Sequence, residues 1–228
     1  MIAERLQTIR SRIDAAALEA GRQPSDVRLV AVSKTKPIED IRMAYAAGQR
    51  DFGENYAQEL RDKAAALADL PGIRWHFIGH LQRNKVKYVV KAFATIHAVD
   101  SVKLAREIAK RGPGCGVLVE VNVGDEGSKS GVPVRDALEL ARELHALEHV
   151  ELGGLMCIPP PGDTRAFSTM AELAREGRAE GLPLSELSMG MSEDFEAAIA
   201  HGATLIRVGT AIFGSRSPVK SVIGALRG

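Results

Sequence analysis

Cysteine is scarce here: Cys115 and Cys157 are the only two in 228 residues, far apart and without His or Cys neighbours at metal-ligand spacing. Neither a disulfide framework nor a zinc site is indicated, and free thiols are expected. No apolar stretch is long enough to span a bilayer. The amino terminus, MIAERLQTIRSRIDAAALEAG, is charged and periodic where a secretory signal would be basic and then apolar. The expectation is a cytoplasmic protein with no membrane partner. An excess of one charge is also lacking: 30 basic residues stand against 29 acidic ones, a net charge of +1, so nucleic acid is not an expected partner. Low-complexity segments, linkers and a G-x-G-x-x-G at any helix start are missing too, which leaves one domain over residues 1–228.

What the chain does contain is alternation. Ile2, Leu6, Ile9, Ile13, Ala16 and Ala17 recur at helical spacing and stop at Gly21. Strand-like runs then follow at Leu29–Val32, Arg50–Glu54, Ile73–Gly79, Thr95–Val99, Gly116–Val123, Val150–Met156, Leu184–Ser188 and Thr204–Val208. Between them lie helical patterns over Ile38–Ala47, Asn55–Leu70, Gln82–Val90, Val102–Lys110, Pro133–Leu147, Phe167–Gly177 and Glu193–His201, with a last one over Val219–Leu226. Eight strands, each followed by a helical segment, make the count of an α/β protein with a (β/α)8 TIM-type barrel and an extra amino-terminal helix. An open doubly wound sheet is the competitor.

Barrel active sites lie at the carboxyl ends of the strands, with phosphate commonly bound after strands seven and eight. The first strand ends in Ser33-Lys34-Thr35-Lys36-Pro37. A lysine there is either a solvated loop charge or a desolvated amine able to attack a carbonyl. Lys34 and Lys36 fall on the same side of an extended chain, so alternation does not choose between them. After the seventh strand comes Ser188-Met-Gly-Met-Ser192, and after the eighth Arg207-Val-Gly209-Thr210. Glycine lets backbone N–H groups approach an anion, and hydroxyls add donors; Ser192 alone could equally cap its helix. A lysine opposite an anion corner suits a phosphorylated carbonyl compound. Pyridoxal 5'-phosphate fits, and so would a sugar phosphate in an aldolase-like site.

The motifs AVSKTKP (31–37), FGENY (52–56), WHFIGHLQRNK (75–85), SKSG (128–131), GLMCIPP (154–160), SMGMSEDFEAAI (188–199) and RVGTAIFG (207–214) together resemble the pyridoxal-phosphate homeostasis protein family. That family is similar to the amino-terminal barrel of alanine racemase and belongs with the fold-type III pyridoxal-phosphate proteins. The resemblance implies that Lys34 carries the cofactor as a Schiff base, that Ser192, Gly209 and Thr210 hold its phosphate, and that Arg207 approaches the pyridine nitrogen. A guanidinium there would disfavour protonation of that nitrogen and make the ring a poorer electron sink.

Five further residue groups carry two readings each. His76 could line the ring's pocket or be a hydrogen-bonded core histidine; Asn55 could be a site residue or an N-cap; Met156 and Met191 could touch the ring or fill core gaps. Glu120 and Asn122 share one strand face as a polar barrel layer or as structural hydrogen bonders, and Arg83, Lys85 and Lys87 form a small basic cluster or a solvated face. Alanine racemase takes a tyrosine from a second domain as one of two bases, and this chain ends where that domain would begin. The reading that follows is a monomeric carrier that buffers or delivers pyridoxal phosphate in vitamin B6 and amino-acid homeostasis, with apo forms of pyridoxal-phosphate enzymes as acceptors and no robust reaction of its own. The alternative is an amino-acid racemase or related enzyme of weak activity.

Overall fold

Short runs rich in Val, Ile and Leu form strands here because helices cover one side of each and the barrel interior the other, the setting that favours parallel pairing. In the computed structural model, which describes residues 1–92, 94–112, 114–124 and 130–214, the strands are β1 Arg28–Val32, β2 Asp51–Glu54, β3 Arg74–Phe77, β4 Thr95–Val99, β5 Cys115–Asn122, β6 Val132–Pro133, β7 Val150–Cys157, β8 Glu186–Ser188 and β9 Leu205–Val208. The α-helices are α1 Ile2–Glu19, α2 Ile38–Ala46, α3 Ala57–Ala66, α4 Val86–Val89, α5 Val102–Arg111, α6 Ala137–His145, α7 Arg165–Ala179, α8 Phe195–Ala200 and α9 Thr210–Phe213.

Every strand pairing is parallel. β9 returns to β1, with Leu205 opposite Arg28 and Val208 opposite Ala31, and β4 meets β5, so β1–β5 and β7–β9 close into an eight-stranded barrel. The two-residue β6 lies outside the circle against Val121 and Asn122. This is the (β/α)8 barrel that the strand count predicts, and a closed ring of eight excludes the open sheet. The expected helix over Val219–Leu226, and Ser128 and Lys129 of the SKSG motif, lie outside the described residues.

Two apolar cores follow from the alternation. Leu29, Ala31, Ile206 and Val208 face outward into the large core beneath the helices, while Val30, Ala98, Leu118, Met156 and Leu205 meet inside the barrel. α1 buries its predicted apolar stripe against α8, α9 and α2. It therefore flanks the seam at which β9 meets β1. Arg22 reinforces this by donating to the carbonyls of Ile199 (2.9 Å) and Ala203 (2.8 Å), which satisfies groups at the carboxyl end of α8.

Several helices are shorter than their patterns, α3, α4 and α8 among them. Tyr56 is extended (φ −116°, ψ 121°) and takes the N-cap position of α3, so Asn55 is not its cap. The Gln82–Val90 segment breaks into a 3-10 turn, the four residues of α4 and another 3-10 turn. The third, α8, starts at Phe195 because Asp194 closes the turn before it, its Oδ1 accepting from Met191 N at 2.6 Å.

Candidate functional site

Alternation along β1 carries Val30 inward, and continuing it past Val32 puts Lys34 on the inner side of the strand's carboxyl end. The chain then turns sharply. Thr35 has φ +61°, Lys36 N donates to Ser33 O at 3.0 Å, and Thr35 N donates to Glu59 Oε1 at 2.6 Å. Lys34 is half-buried in this turn. The two lysines diverge here: Lys36 Nζ donates to the carbonyls of Phe213 (3.3 Å) and Gly214 (3.0 Å), which ties it to the end of α9.

A buried ion cluster underlies the turn. Lys63 Nζ reaches Glu54 Oε1 at 2.8 Å, Glu59 Oε1 at 2.7 Å and Ser33 O at 2.7 Å, and Ser33 Oγ donates to Glu54 Oε1 at 2.6 Å. Glu54 is fully buried and Lys63 is 6% exposed. Burial pushes the Glu54 carboxyl up, and Lys63 pulls against it. The cluster anchors the residue directly before Lys34, and with it the place where the amine leaves the strand.

Beside this turn are the end of β9 and, next around the ring, the end of β8. A Cβ on Gly209 would come 3.2 Å from Val32 O and 3.3 Å from Val32 Cβ, so glycine keeps the corner between β1 and β9 narrow. Thr210 opens α9 and is exposed; Ser192 is half-buried in the turn from Met191 to Asp194, and Met191 is 37% exposed on the rim. Asp194, and not Ser192, occupies the N-cap position of α8. The Ser192 and Thr210 hydroxyls have no hydrogen-bond partner among the described residues.

Arg207 lies below this corner, 4% exposed, at one end of a hydrogen-bond chain that crosses the barrel. Its Nη2 donates to Cys157 O at 2.8 Å and its Nη1 to Ser188 Oγ at 2.6 Å. Ser188 Oγ is 2.9 Å from His97 Nδ1, His97 Nε2 is 2.9 Å from His76 Nδ1, and His76 Nε2 is 2.9 Å from Asp51 Oδ1. A guanidinium only donates, so Ser188 accepts and passes its own proton toward His97 Nδ1. Each ring must then carry its hydrogen on Nε2, His97 donating to His76 and His76 to Asp51. Burial holds His97 far below the usual histidine range, and the positive charge of Arg207 adds to that. Burial opposes the Asp51 charge, but the hydrogen bonds from Arg74 and His76 overcome it and hold the carboxyl well below the usual range.

The structure thus brings Lys34, Ser192, Gly209 and Thr210 to one end of the barrel, with Arg207 beneath. His76 is placed inside the barrel at 2% exposure, joined to Arg207 through His97 and Ser188. Asn55 stands at the end of β2, its Oδ1 buried without a partner; a Cβ on Gly79 would fall 2.4 Å from Asn55 O, so only glycine allows these two loops to touch. Met156 is in the inner apolar cluster. Lys85 and Lys87 set their ammonium groups 5.8 and 5.0 Å from the Tyr88 ring, on the outside of the barrel. Sequence reasoning missed Asp51, His97 and Lys63. A signal was present, since charged and imidazole groups inside otherwise apolar strands need partners, but sequence does not name the partner.

Glu120, on the inner face of β5, is 7% exposed, and its Oε2 has no partner. Burial and the nearby Asp100 charge raise its carboxyl to about 7 against the pull of Arg207. With Asn55, Ile78 and Ile158 it lines a cavity of about 240 Å³ at the mouth. A larger cavity of about 500 Å³ sits at the amino ends of β4, β5 and β7 around Cys115, away from these groups. Among the described residues, no group of three or more His, Cys, Asp or Glu could hold a metal ion, and no helix is long and apolar enough to cross a membrane.

The alanine racemase N-terminal domain family matches residues 5–217. The pyridoxal phosphate homeostasis protein of Pseudomonas aeruginosa is 46% identical over 224 residues, covering 94% of this chain and 96% of the relative. The Escherichia coli protein of the same name is 43% identical over 226 residues, covering 94% and 97%. Among solved structures, PipY of Synechococcus elongatus with PLP bound has a TM-score of 0.81 at 40% identity, covering 94% of this chain and all of that one. Alanine racemase of Corynebacterium glutamicum has a TM-score of 0.66 at 18% identity over 97% of this chain and 64% of its own, a likeness of fold. With a family match across nearly the whole barrel and relatives above 40% identity, this chain belongs to the pyridoxal phosphate homeostasis proteins, built on the alanine racemase N-terminal barrel.

Proposed function

We propose that this protein is a carrier of pyridoxal 5'-phosphate that holds the cofactor on Lys34 as a Schiff base. The observation that carries the reading is the divergence of the two lysines: Lys36 is tied to the end of α9, while Lys34 stands half-buried at the inner end of β1, beside the corner that Gly209 keeps narrow. The cofactor suits this donor set. The Ser192 and Thr210 hydroxyls and the backbone at Gly209 offer hydrogen bonds to a phosphate, and a cationic Arg207 suits an unprotonated pyridine nitrogen. Asn55, His76 and Met191 are the remaining contacts in this reading, His76 acting through His97 and Ser188.

When bound, the cofactor supplies an aldehyde that condenses with amines and a ring that can withdraw electrons. The chain's own contribution is to hold and orient. The Glu54–Lys63–Glu59 cluster anchors the turn that presents the amine, and Arg207 keeps positive charge where a protonated ring nitrogen would need negative charge. That arrangement favours retention over α-carbon chemistry. The relatives' names and the PLP-bound PipY structure support the same reading. We place the protein in the cytoplasm as a monomer of one domain, giving cofactor to apo forms of pyridoxal-phosphate enzymes.

The test is a visible spectrum of the purified protein, followed by borohydride reduction and peptide mapping. Yellow colour and a label on Lys34 are expected; a label on Lys36, or none, overturns the site. Incubation with L- and D-amino acids under chiral detection separates carrier from racemase, since sustained turnover would favour the enzyme.

A further inference from the structure

Among the described residues, the cavity at the ends of β2, β3, β5 and β7 is lined by acceptors and by His80, with no lysine or arginine. Glu120 is more than nine-tenths buried, its Oε2 has no hydrogen-bond partner, and it lines the cavity of about 240 Å³. Asn55 Oδ1, on the same cavity, is likewise buried and unpartnered. Two orphaned buried acceptors on one small cavity cost free energy unless a donor fills it. Arg207 acts on Glu120 only through its field, its Nη groups being bonded to Ser188 and Cys157. At the rim, Asp100 adds a second negative charge, 4.0 Å from His80 Nδ1. Ile78 and Ile158 form apolar walls beside the two acceptors.

We propose that this cavity binds a primary ammonium group, with Glu120 and Asn55 as its acceptors and Ile78 and Ile158 against the carbon chain of a small organic amine. Among the described residues, no group of three or more His, Cys, Asp or Glu gathers here to hold a metal ion. One carboxylate and one amide oxygen suit an ammonium, which presents three donors and carries one charge. The site shares Asn55 with the proposed cofactor site, while its Glu120 stands on β5, across the ring from β1; it is made only of protein groups and needs no cofactor to form. It rests on the carrier reading only in giving an incoming amine a place beside the cofactor.

The experiment uses the full chain freed of cofactor, labelled with [13Cδ]-glutamate, and titrated with n-butylammonium chloride; n-butanol is the uncharged control. The expected result is saturable movement of the Glu120 carboxyl resonance, with its titration midpoint moved down by the amine, and no saturation with n-butanol. Glu120→Gln should weaken binding about tenfold or more, as loss of a charged hydrogen bond does, and Asn55→Ala should weaken it less. An unresponsive Glu120 resonance in the wild-type chain, or undiminished binding in folded E120Q, overturns the proposal. Should E120Q fail to fold, the wild-type titration still decides. Cofactor loading, read separately by absorbance, keeps a failure of this site distinct from a failure of the carrier reading.

Discussion

Arg207 Nη1 lies 2.6 Å from Ser188 Oγ, and through that one hydroxyl a buried guanidinium is connected to His97, His76 and finally Asp51. Each member donates toward Asp51, so the chain is polarised with its negative end at the carboxylate and its positive end under the mouth. The cation therefore sits among oriented acceptors and, among the described residues, makes no direct ion pair, which leaves its charge directed at the barrel mouth.

Ser188→Ala tests this connection. It removes the acceptor of Arg207 and the donor to His97 Nδ1 in one step, leaving two buried groups unmatched. Stability should fall by about 1–3 kcal/mol per unmatched group, measured by urea unfolding. A loss of only a few tenths of a kcal/mol would mean that Arg207 and His97 find other partners.

Lys63→Met leaves the fully buried Glu54 carboxylate without its cation, and should destabilise the chain by about 3–5 kcal/mol. Adding Glu54→Gln should recover part of that loss, because the stranded charge is then gone. Equal stability of the single and double variants would show that the ion pair does not anchor the Lys34 turn.

The two lysines should separate cleanly in absorbance. Lys34→Ala loses the yellow colour. Lys36→Ala keeps the colour and loses about 1–3 kcal/mol, the worth of its charged hydrogen bonds at the end of α9. Colour retained in Lys34→Ala would refute the cofactor assignment.

Glu120 makes stability depend on pH with a definite sign. Its folded-state value is raised from 4.5 to about 7, so the native state holds an extra proton between those limits. The stabilising contribution is complete below pH 4.5 and disappears as pH rises through 7, a change of about 3 kcal/mol at most. Glu120→Gln should be as stable as wild type near pH 4 and more stable near pH 8, in unfolding of the cofactor-free chain. Parallel stability curves at the two pH values would contradict the shift.

Neither thiol should react in the native state at neutral pH. Burial pushes Cys157 up to about 12 and Cys115 up to about 11, the latter helped by Glu151, and the thiolate is the reactive form. An aromatic disulfide reagent should titrate no thiol until denaturant is added. Rapid modification of Cys157 would mean that the barrel opens.

Periodicity made the architecture readable because it records burial: Val30 and Val32 alternate with Leu29 and Ala31, and Ile2, Leu6, Ile9 and Ile13 follow a helical turn. It placed Lys34, Ser192, Gly209 and Thr210 just past the carboxyl ends of their strands, which the closed barrel gathers at one end. It read less well where the last residues of a segment are set by a neighbour. Asp194 moves the start of α8 past Ser192, and α9 begins in a stretch with no apolar repeat to announce it.

By itself the sequence determined the eight-fold alternation, the closed parallel fold and the family, because each depends on spacing and on local motifs read along the chain. Only the tertiary structure separates the surroundings of Lys34 and Lys36, since the groups that bind Lys36 are the carbonyls of Phe213 and Gly214, 177 and 178 residues away. The same holds for the Asp51–His76–His97–Ser188–Arg207 chain and for the stranded oxygen of Glu120. Hydrogen bonding and burial are properties of pairs and volumes in space, and a linear order of residues does not contain them until the barrel closes.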